Sequence, residues 1–188
     1  MTTTGTATRS TADAQRERIT TAAVAVFART GYHATPVTDV AQAVGVSPAY
    51  VFRLFPGKLG VFVAAVDRCY ELVAAALADA GETATSTDPA ARLEAMTLAY
   101  VALIEDRDLI RLQVHAQSAC EVPEIREAVR RGLATVVTAV THGSGADHAA
   151  VQRFLAYGQL CHLVVQADLS AVPSEWAGII SAGIRHTG

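Results

Sequence analysis

Residues 37–55 carry the most specific chemical pattern in this chain, VTDVAQAVGVSPAYVFRLF. Its hydrogen-bonding side chains include Ser47, Tyr50 and Arg53. The Arg53 guanidinium can donate two hydrogen bonds to O6 and N7 of a guanine, and Tyr50 can reach a phosphate or a thymine methyl group. The chemistry that this pattern favours is the recognition of nucleic-acid bases.

Two short helices, Val37–Val44 and Pro48–Leu54, are predicted to position these side chains by crossing over a tight turn. Ala41 is the small residue where the helices touch, and Gly45 supplies the positive φ of the turn. Ser47 is a good N-cap residue, and a proline follows it at the first helical position. This arrangement predicts a helix-turn-helix whose second helix presents its N-terminal residues to the major groove. The candidate base-reading residues are Ser47, Pro48, Ala49, Tyr50 and Arg53.

The rest of the chain is also predicted to be helical. Alanine is abundant, and apolar residues recur at spacings of three and four almost throughout. We therefore expect an all-α fold of about nine helices. The predicted division is a Thr-rich flexible arm over residues 1–11, a three-helix helix-turn-helix domain over 12–57, and a helical body over 58–188.

Composition and charge limit the class of protein. The 188 residues are 51% hydrophobic and 18% charged, which excludes disorder over the whole length. We expect no membrane span, because charged or polar residues interrupt the most apolar stretches. We expect no signal peptide, because the Thr-rich N-terminus has no apolar region, and hence a cytoplasmic location. Residues 1–60 contain six Lys or Arg against three Asp or Glu, whereas residues 61–188 contain nine against fifteen. A basic N-terminal part followed by an acidic body is typical of a nucleic-acid-binding domain attached to a body that does not bind phosphates.

An enzyme is the competing class, and the sequence disfavours it. Cys161 and His162 are adjacent on a predicted helix and point about 100° apart, which is wrong for a nucleophile and its base. No carboxylate or cysteine set completes a metal site around His142 and His148. The three cysteines are widely spaced, so we expect free thiols. The sequence predicts no catalytic residue, no metal and no cofactor.

The segments on either side of the helix-turn-helix carry a family resemblance. Residues 27–35 read FARTGYHAT, and residues 55–62 read FPGKLGVF. Together with residues 37–55 they resemble the tetracycline-repressor (TetR) family of transcriptional regulators, over about residues 12–65. The resemblance implies a DNA-binding domain at the N-terminus, followed by a helical body that binds an effector and forms a dimer.

The resemblance also implies roles for single residues. Thr35 would cap the helix Val37–Val44 and touch a phosphate, and Lys58 would hold a phosphate at a helix N-terminus. Phe52 and Leu54 depart from the family, which usually has Tyr and His at these positions. Neither can donate a hydrogen bond, so phosphate contacts are lost. This leaves an alternative open: a TetR-like dimeric small-molecule-binding protein with weak or lost DNA binding.

A homodimer is expected because one recognition helix reads only half of an operator. The predicted helices Asp147–Leu169 and Ser174–His186 carry apolar stripes that suit a partner surface, although they also suit the core of one subunit. The candidate interface residues are Phe154, Tyr157, Cys161, Val165, Trp176, Ile179, Ile180 and Ile184.

The implied effector pocket would lie in the helical body. Its candidate residues are Met96, Tyr100, Ile104, Gln113, His115, Gln117 and Cys120. A single histidine such as His115 is also typical of a hydrogen-bonded core or surface position. No Lys or Arg falls inside the apolar stripes of the predicted helices from Ala90 and Pro123, so we expect a lipophilic, weakly polar effector.

Overall fold

The computed structural model describes residues 4–184, with side chains from residue 11 onward. This part of the chain consists of α-helices and one 3₁₀ turn, without strands, which confirms the predicted all-α fold. The helices are α1 (Thr4–Ala34), α2 (Val37–Val44), α3 (Pro48–Leu54), α4 (Gly57–Thr83), α5 (Pro89–Leu103), α6 (Arg107–Ser118), α7 (Pro123–Ser144), α8 (His148–Gln166) and α9 (Glu175–Ser181), and the 3₁₀ turn is Leu169–Ala171. Over residues 4–184, no helix is both long and apolar enough to cross a membrane.

The predicted helix boundaries agree best in the helix-turn-helix, where α2 and α3 have the expected bounds. Helix α1 begins at Thr4, inside the segment that the sequence assigned to an arm. Its regular conformation breaks at Gly31, the predicted end, where φ is 74° and ψ is −175°. Helix α7 continues past Gly143, which the sequence placed in a closing loop, and Gly145 follows with a φ of 66°. The last predicted residues of α9 lie outside the described part of the chain.

The chain forms two compact units. One comprises the chain up to Cys69 together with Arg111–Arg130, and the other comprises Tyr70–Ile110 together with the chain from Arg131 onward. The segment Arg111–Arg130 lay in the predicted body, so the compact units do not follow the predicted boundary at residues 57 and 58. The functional division of the chain remains a prediction.

The first unit packs α1 against the helix-turn-helix. Its centre is formed by side chains that are 0% exposed: Ile19, Phe27, Val40, Val51 and Phe62. The rings of Phe27 and Phe62 meet edge to face with centroids 4.9 Å apart. Such aromatic pairs add to the free energy of burial. This core holds the short α2 and α3, which isolated from it would be too short to stay helical in water.

The second unit contains a close helix approach at Met96. This side chain is fully buried and lies against Gly81 of α4 and Gly143 of α7. A Cβ on Gly81 would lie 2.6 Å from the Met96 Cε, so a larger residue there must displace the methionine. Gly143 lies within α7, although the sequence predicted a loop there, and its lack of a side chain allows this close approach.

Candidate nucleic-acid interface

The turn between α2 and α3 is closed by backbone hydrogen bonds. Gly45 has a φ of 70° and a ψ of 35°, a left-handed conformation in which glycine carries no Cβ penalty. The N–H groups of Gly45 and Val46 donate to the carbonyls of Gln42 and Ala41 at 3.1 and 3.0 Å. This pattern satisfies the last carbonyls of α2 and fixes the direction in which the chain enters α3.

Helix α3 begins as the sequence predicted. The Oγ of Ser47 accepts a hydrogen bond from the Tyr50 N–H at 3.2 Å, and the proline at the first position needs no donor partner. Val51 is fully buried and anchors the helix in the core of the first unit. The five candidate base-reading residues lie on the outside of α3, where Ser47, Pro48, Ala49 and Arg53 are exposed and Tyr50 is half-buried.

Arg53 is held against Tyr50. Its guanidinium carbon lies 4.5 Å from the centre of the Tyr50 ring. Among the residues that the structure describes, Arg53 forms no ion pair or hydrogen bond. The guanidinium thus rests on an aromatic face while its N–H donors stay available at the surface.

The two departures from the family pattern also lie on α3. Phe52 is 51% exposed, and Leu54 is half-buried. Apolar groups at these positions donate no hydrogen bond to a phosphate. The phenyl ring of Phe52 is therefore an exposed apolar group on the helix that the sequence predicts to bind DNA.

Thr35 does not have the predicted role. The N-cap of α2 is Pro36, without a side-chain hydrogen bond, and Thr35 is only 1% exposed. Its Oγ1 donates to the Gly31 carbonyl at 2.7 Å and lies 2.6 Å from the Oγ1 of Thr30. The break of α1 at Gly31 leaves this carbonyl without its helical partner, and the Thr35 hydroxyl satisfies it. A buried hydroxyl with these partners is not presented to a phosphate.

Lys58 lies at the start of α4, as predicted, and is held by the end of α1. Its Nζ donates to the His33 carbonyl at 3.0 Å and lies 5.0 Å from the centre of the Tyr32 ring. The His33 Nε2 is 2.8 Å from the Oε1 of Glu121, which follows α6. A backbone hydrogen bond and the hydrogen bond with His33 lower the pKa of Glu121. The sequence held no signal for this contact, because its partners are 88 residues apart.

The predicted dimer residues divide into exposed and buried groups. Trp176, Ile179 and Tyr157 are 54%, 69% and 56% exposed, and Leu163, which lies outside the predicted set, is 53% exposed. Cys161 is instead buried in a cluster with Ile104 and Ile110, against which Tyr100, Val165 and Ile184 also pack. Burial raises the pKa of the Cys161 thiol, which keeps it protonated.

The predicted pocket residues are divided between the two compact units. Met96, Tyr100 and Ile104 belong to the second unit, and Gln113, His115, Gln117 and Cys120 belong to the first. Met96 fills the helix approach described above. The Tyr100 hydroxyl lies 2.6 Å from the Nε2 of His162. His115 packs against Gly31, where a Cβ would lie 2.6 Å from its Nδ1.

A groove of about 490 Å³ lies in the second unit beside the first turns of α5 and α8. It contains none of the seven predicted pocket residues. Its lining includes Asp88, Leu93, Thr97, Asp147, Arg153 and Phe154. Asp88 and Asp147 cap the two helices by accepting hydrogen bonds from Ala91 and Ala150. Within residues 11–184, no group of three or more His, Cys, Asp or Glu side chains has the arrangement of a metal site.

The fold and the exposed face of α3 define a protein of the helix-turn-helix class. Residues 19–65 match the family model of the bacterial regulatory proteins of the tetR family. Comparison with curated proteins found no match.

Solved structures with the same fold cover nearly the whole chain. A TetR-family transcriptional regulator from Agrobacterium tumefaciens is 17% identical, with a TM-score of 0.68 and coverage of 91% of this chain and 94% of the other. The transcriptional regulator FadR from Bacillus subtilis, in complex with stearoyl-CoA, is 18% identical, with a TM-score of 0.67 and coverage of 90% and 99%. A TetR-family transcription regulator from Marinobacter aquaeolei is 20% identical, with a TM-score of 0.61 and coverage of 92% and 94%.

These findings confirm the resemblance inferred from the sequence. Residues 19–65 match the model of the tetR family of bacterial regulatory proteins, and the described helices share the fold of solved regulators of that family. The class that the fold and this match define is a helix-turn-helix domain followed by a helical body, the fold of TetR-type regulators.

Proposed function

We propose that this protein is a homodimeric repressor that binds a palindromic operator and releases it when an effector binds. The observation that carries the proposal is the exposed outer face of α3, with Ser47, Tyr50 and Arg53 on a helix anchored by the buried Val51. A helix-turn-helix places such a face in the major groove, and specificity then needs two heads about 34 Å apart.

The test is selection from a randomised duplex pool with the purified full chain, at low and at moderate salt, followed by sequencing of the retained DNA. We expect enrichment of an inverted repeat, with affinity that falls as salt rises because phosphate contacts release counterions. Retention without enrichment, or no retention at low salt, contradicts an operator-reading function.

A second candidate is a dimeric small-molecule-binding protein that keeps the fold without operator binding. The exposed Phe52 favours it, because a phenyl ring on α3 replaces a hydrogen-bond donor to DNA. Substitution Phe52→Tyr in the same selection separates the two candidates. Enrichment by both the wild type and the variant supports the repressor, whereas enrichment by the variant alone supports the second candidate.

We propose a lipophilic, weakly polar effector for the second unit. The apolar and weakly polar groups around Tyr100 and His162 support this class. The Bacillus subtilis regulator, which has the same fold, is in complex with stearoyl-CoA, and this supports a ligand with an acyl chain. The effector must prefer the state of the dimer that does not bind DNA, since a ligand shifts an equilibrium only by its differential affinity.

Release of the selected operator tests the effector class. Stearoyl-CoA and methyl stearate are titrated separately into the protein–DNA complex, and dissociation is followed by fluorescence anisotropy. Release by methyl stearate supports an uncharged lipophilic effector. Release by stearoyl-CoA alone would show that the charged headgroup is required, and release by neither would reject long acyl chains.

A further inference from the structure

We propose that Tyr50 is the positioning residue for Arg53, holding its guanidinium at the N-terminal end of α3 where the base edges are read. This inference rests on the proposed operator binding and adds to it the residue that sets base specificity. The observation behind it is the stacking of the Arg53 guanidinium over the Tyr50 ring at 4.5 Å.

The spacing and direction of the two side chains suit this role. Tyr50 and Arg53 are three residues apart on α3, so they lie on the same face of the helix. Helical side chains lean toward the N-terminus, and Arg53 lies in the last turn of α3. Its guanidinium therefore reaches back over Tyr50, toward the end of the helix that a helix-turn-helix presents to DNA.

Stacking leaves the reading atoms of Arg53 free. A guanidinium is planar, so its face can rest on the ring while its N–H groups point outward along its edges. The two hydrogen bonds to O6 and N7 of a guanine use those edges. Arg53 has no carboxylate or carbonyl partner among the described residues that would compete for them.

Positioning also lowers the entropic cost of reading a base. A free arginine side chain samples many rotamers, and binding must order it. Tyr50 already restricts the Arg53 side chain in the free protein. The aromatic face supplies this effect, so phenylalanine can replace tyrosine at position 50 but an aliphatic residue cannot.

The test measures base discrimination by the full-length protein. Comparing the sequences enriched by the wild type and by Arg53→Ala identifies the base pair that Arg53 reads. Dissociation constants are then measured for the operator and for a duplex substituted at that base pair, with the wild type, Tyr50→Phe, Tyr50→Leu and Tyr50→Gln. Circular dichroism confirms that each variant is folded.

We expect Tyr50→Phe to keep the wild-type ratio of the two dissociation constants. Tyr50→Leu and Tyr50→Gln should reduce that ratio about two- to fivefold, as expected for the loss of an exposed cation–π contact. In the Arg53→Ala background, the same changes at position 50 should leave the ratio unaltered, because no guanidinium remains to be positioned.

Three results would overturn the inference. A wild-type ratio in both ringless variants would show that Arg53 needs no aromatic support. A loss in Tyr50→Phe equal to that in Tyr50→Leu would show that the hydroxyl acts directly on DNA. If the wild type enriches no sequence, both the proposed function and the inference are wrong. The first two results would contradict the inference alone and would not contradict operator binding.

Discussion

Arg53 and Lys58 carry the same charge, but their surroundings give them different expected roles on DNA. Arg53 lies on the outer face of α3 with its donors exposed. Lys58 lies at the start of α4 and donates to the His33 carbonyl at 3.0 Å. A base contact changes the preference among sequences, whereas a phosphate contact changes the affinity for all of them.

The first prediction separates these roles. Arg53→Ala should reduce discrimination at one operator base pair by about 1–3 kcal/mol, and Lys58→Ala should weaken operator and scrambled duplexes alike while reducing the salt slope by about one. Anisotropy titrations over a salt series measure both quantities. Lys58→Arg, which keeps the charge, should restore the salt slope. Unchanged sequence preference in Arg53→Ala would remove Arg53 as the base reader.

His162 is a buried titratable residue whose pKa is changed by its surroundings. It is 4% exposed, and burial lowers its pKa from 6.5 to about 4. Its Nε2 lies 2.6 Å from the Tyr100 hydroxyl, and its buried Nδ1 has no hydrogen-bond partner among the described residues. The imidazole is therefore neutral in the folded protein at pH 7, and its Nε2 lies within hydrogen-bond distance of the tyrosine hydroxyl.

The second prediction concerns stability against pH. Between pH 6.5 and 4 the unfolded chain binds a proton at His162 and the folded protein does not, so the free energy of unfolding falls as the pH decreases. At pH 5 the free energy of unfolding should be about 2 kcal/mol lower than at pH 8 because of His162. Urea unfolding of the wild type and His162→Gln at fixed protein concentration measures it. The variant should lose less stability than the wild type over this range, and parallel pH profiles would contradict the assignment.

At the scale of the elements, two glycines with positive φ direct the chain through the first unit for different reasons. Gly45 adopts the left-handed helical conformation, and a Cβ there would meet no atom within 4 Å. Gly31 has a ψ of −175°, which places it in a region that is essentially restricted to glycine. A Cβ at Gly31 would also lie 2.6 Å from the Nδ1 of His115.

The third prediction follows from this contrast. Gly45→Ala should lower the free energy of unfolding by about 1 kcal/mol, and Gly45→Asn by less, because asparagine tolerates the left-handed conformation. Gly31→Ala should lower the free energy of unfolding by about 2–3 kcal/mol, and Gly31→Asn should not restore that stability. Chemical denaturation of the four variants makes the comparison. Equal costs at the two positions would show that His115 and the special conformation of Gly31 contribute nothing.

The contact between α1 and the segment after α6 has a weaker expected effect on stability. His33 and Glu121 form an ion pair at 2.8 Å when His33 is protonated, but both side chains are more than half exposed. Solvent screens such pairs, so they contribute little to folding. The position of Arg111–Arg130 within the first unit therefore depends mainly on buried residues such as Leu112, Ala116 and Ile125.

At the scale of the whole molecule, the exposed apolar side chains of α8 and α9 are the main candidates for contact with a second copy. Trp176 and Ile179 on α9 and Tyr157 and Leu163 on α8 are each more than half exposed. Large exposed apolar groups are candidates for an interface. They support the proposed homodimer.

The fourth prediction tests that surface. Trp176→Asp and Ile179→Asp should each shift the protein from dimer to monomer in sedimentation equilibrium, because an aspartate in an apolar interface is desolvated without a partner. Leu98→Asp on α5 is the matched control, since Leu98 is 50% exposed and lies outside the predicted interface. Operator affinity should fall together with dimerisation. A dimer that persists in both α9 variants would place the interface elsewhere.

The sequence by itself determined the bounds of α2 and α3 and the side of α3 that is buried. Ser47, the proline after it and Gly45 act within one helical turn of their own positions, so their effect is written in local sequence. The apolar spacing around Val51 likewise fixed which side of α3 is buried. The family resemblance rested on the same short segment that the family model matches.

Only the tertiary structure decided the partners of side chains whose contacts lie far along the chain. Thr35 faces α1 instead of capping α2, Met96 fills a gap between glycines, and Glu121 meets His33. It also divided the predicted pocket residues between two compact units. Helix periodicity fixes the face on which a residue lies but not the helix that covers that face, because packing depends on the shapes of residues distant in sequence.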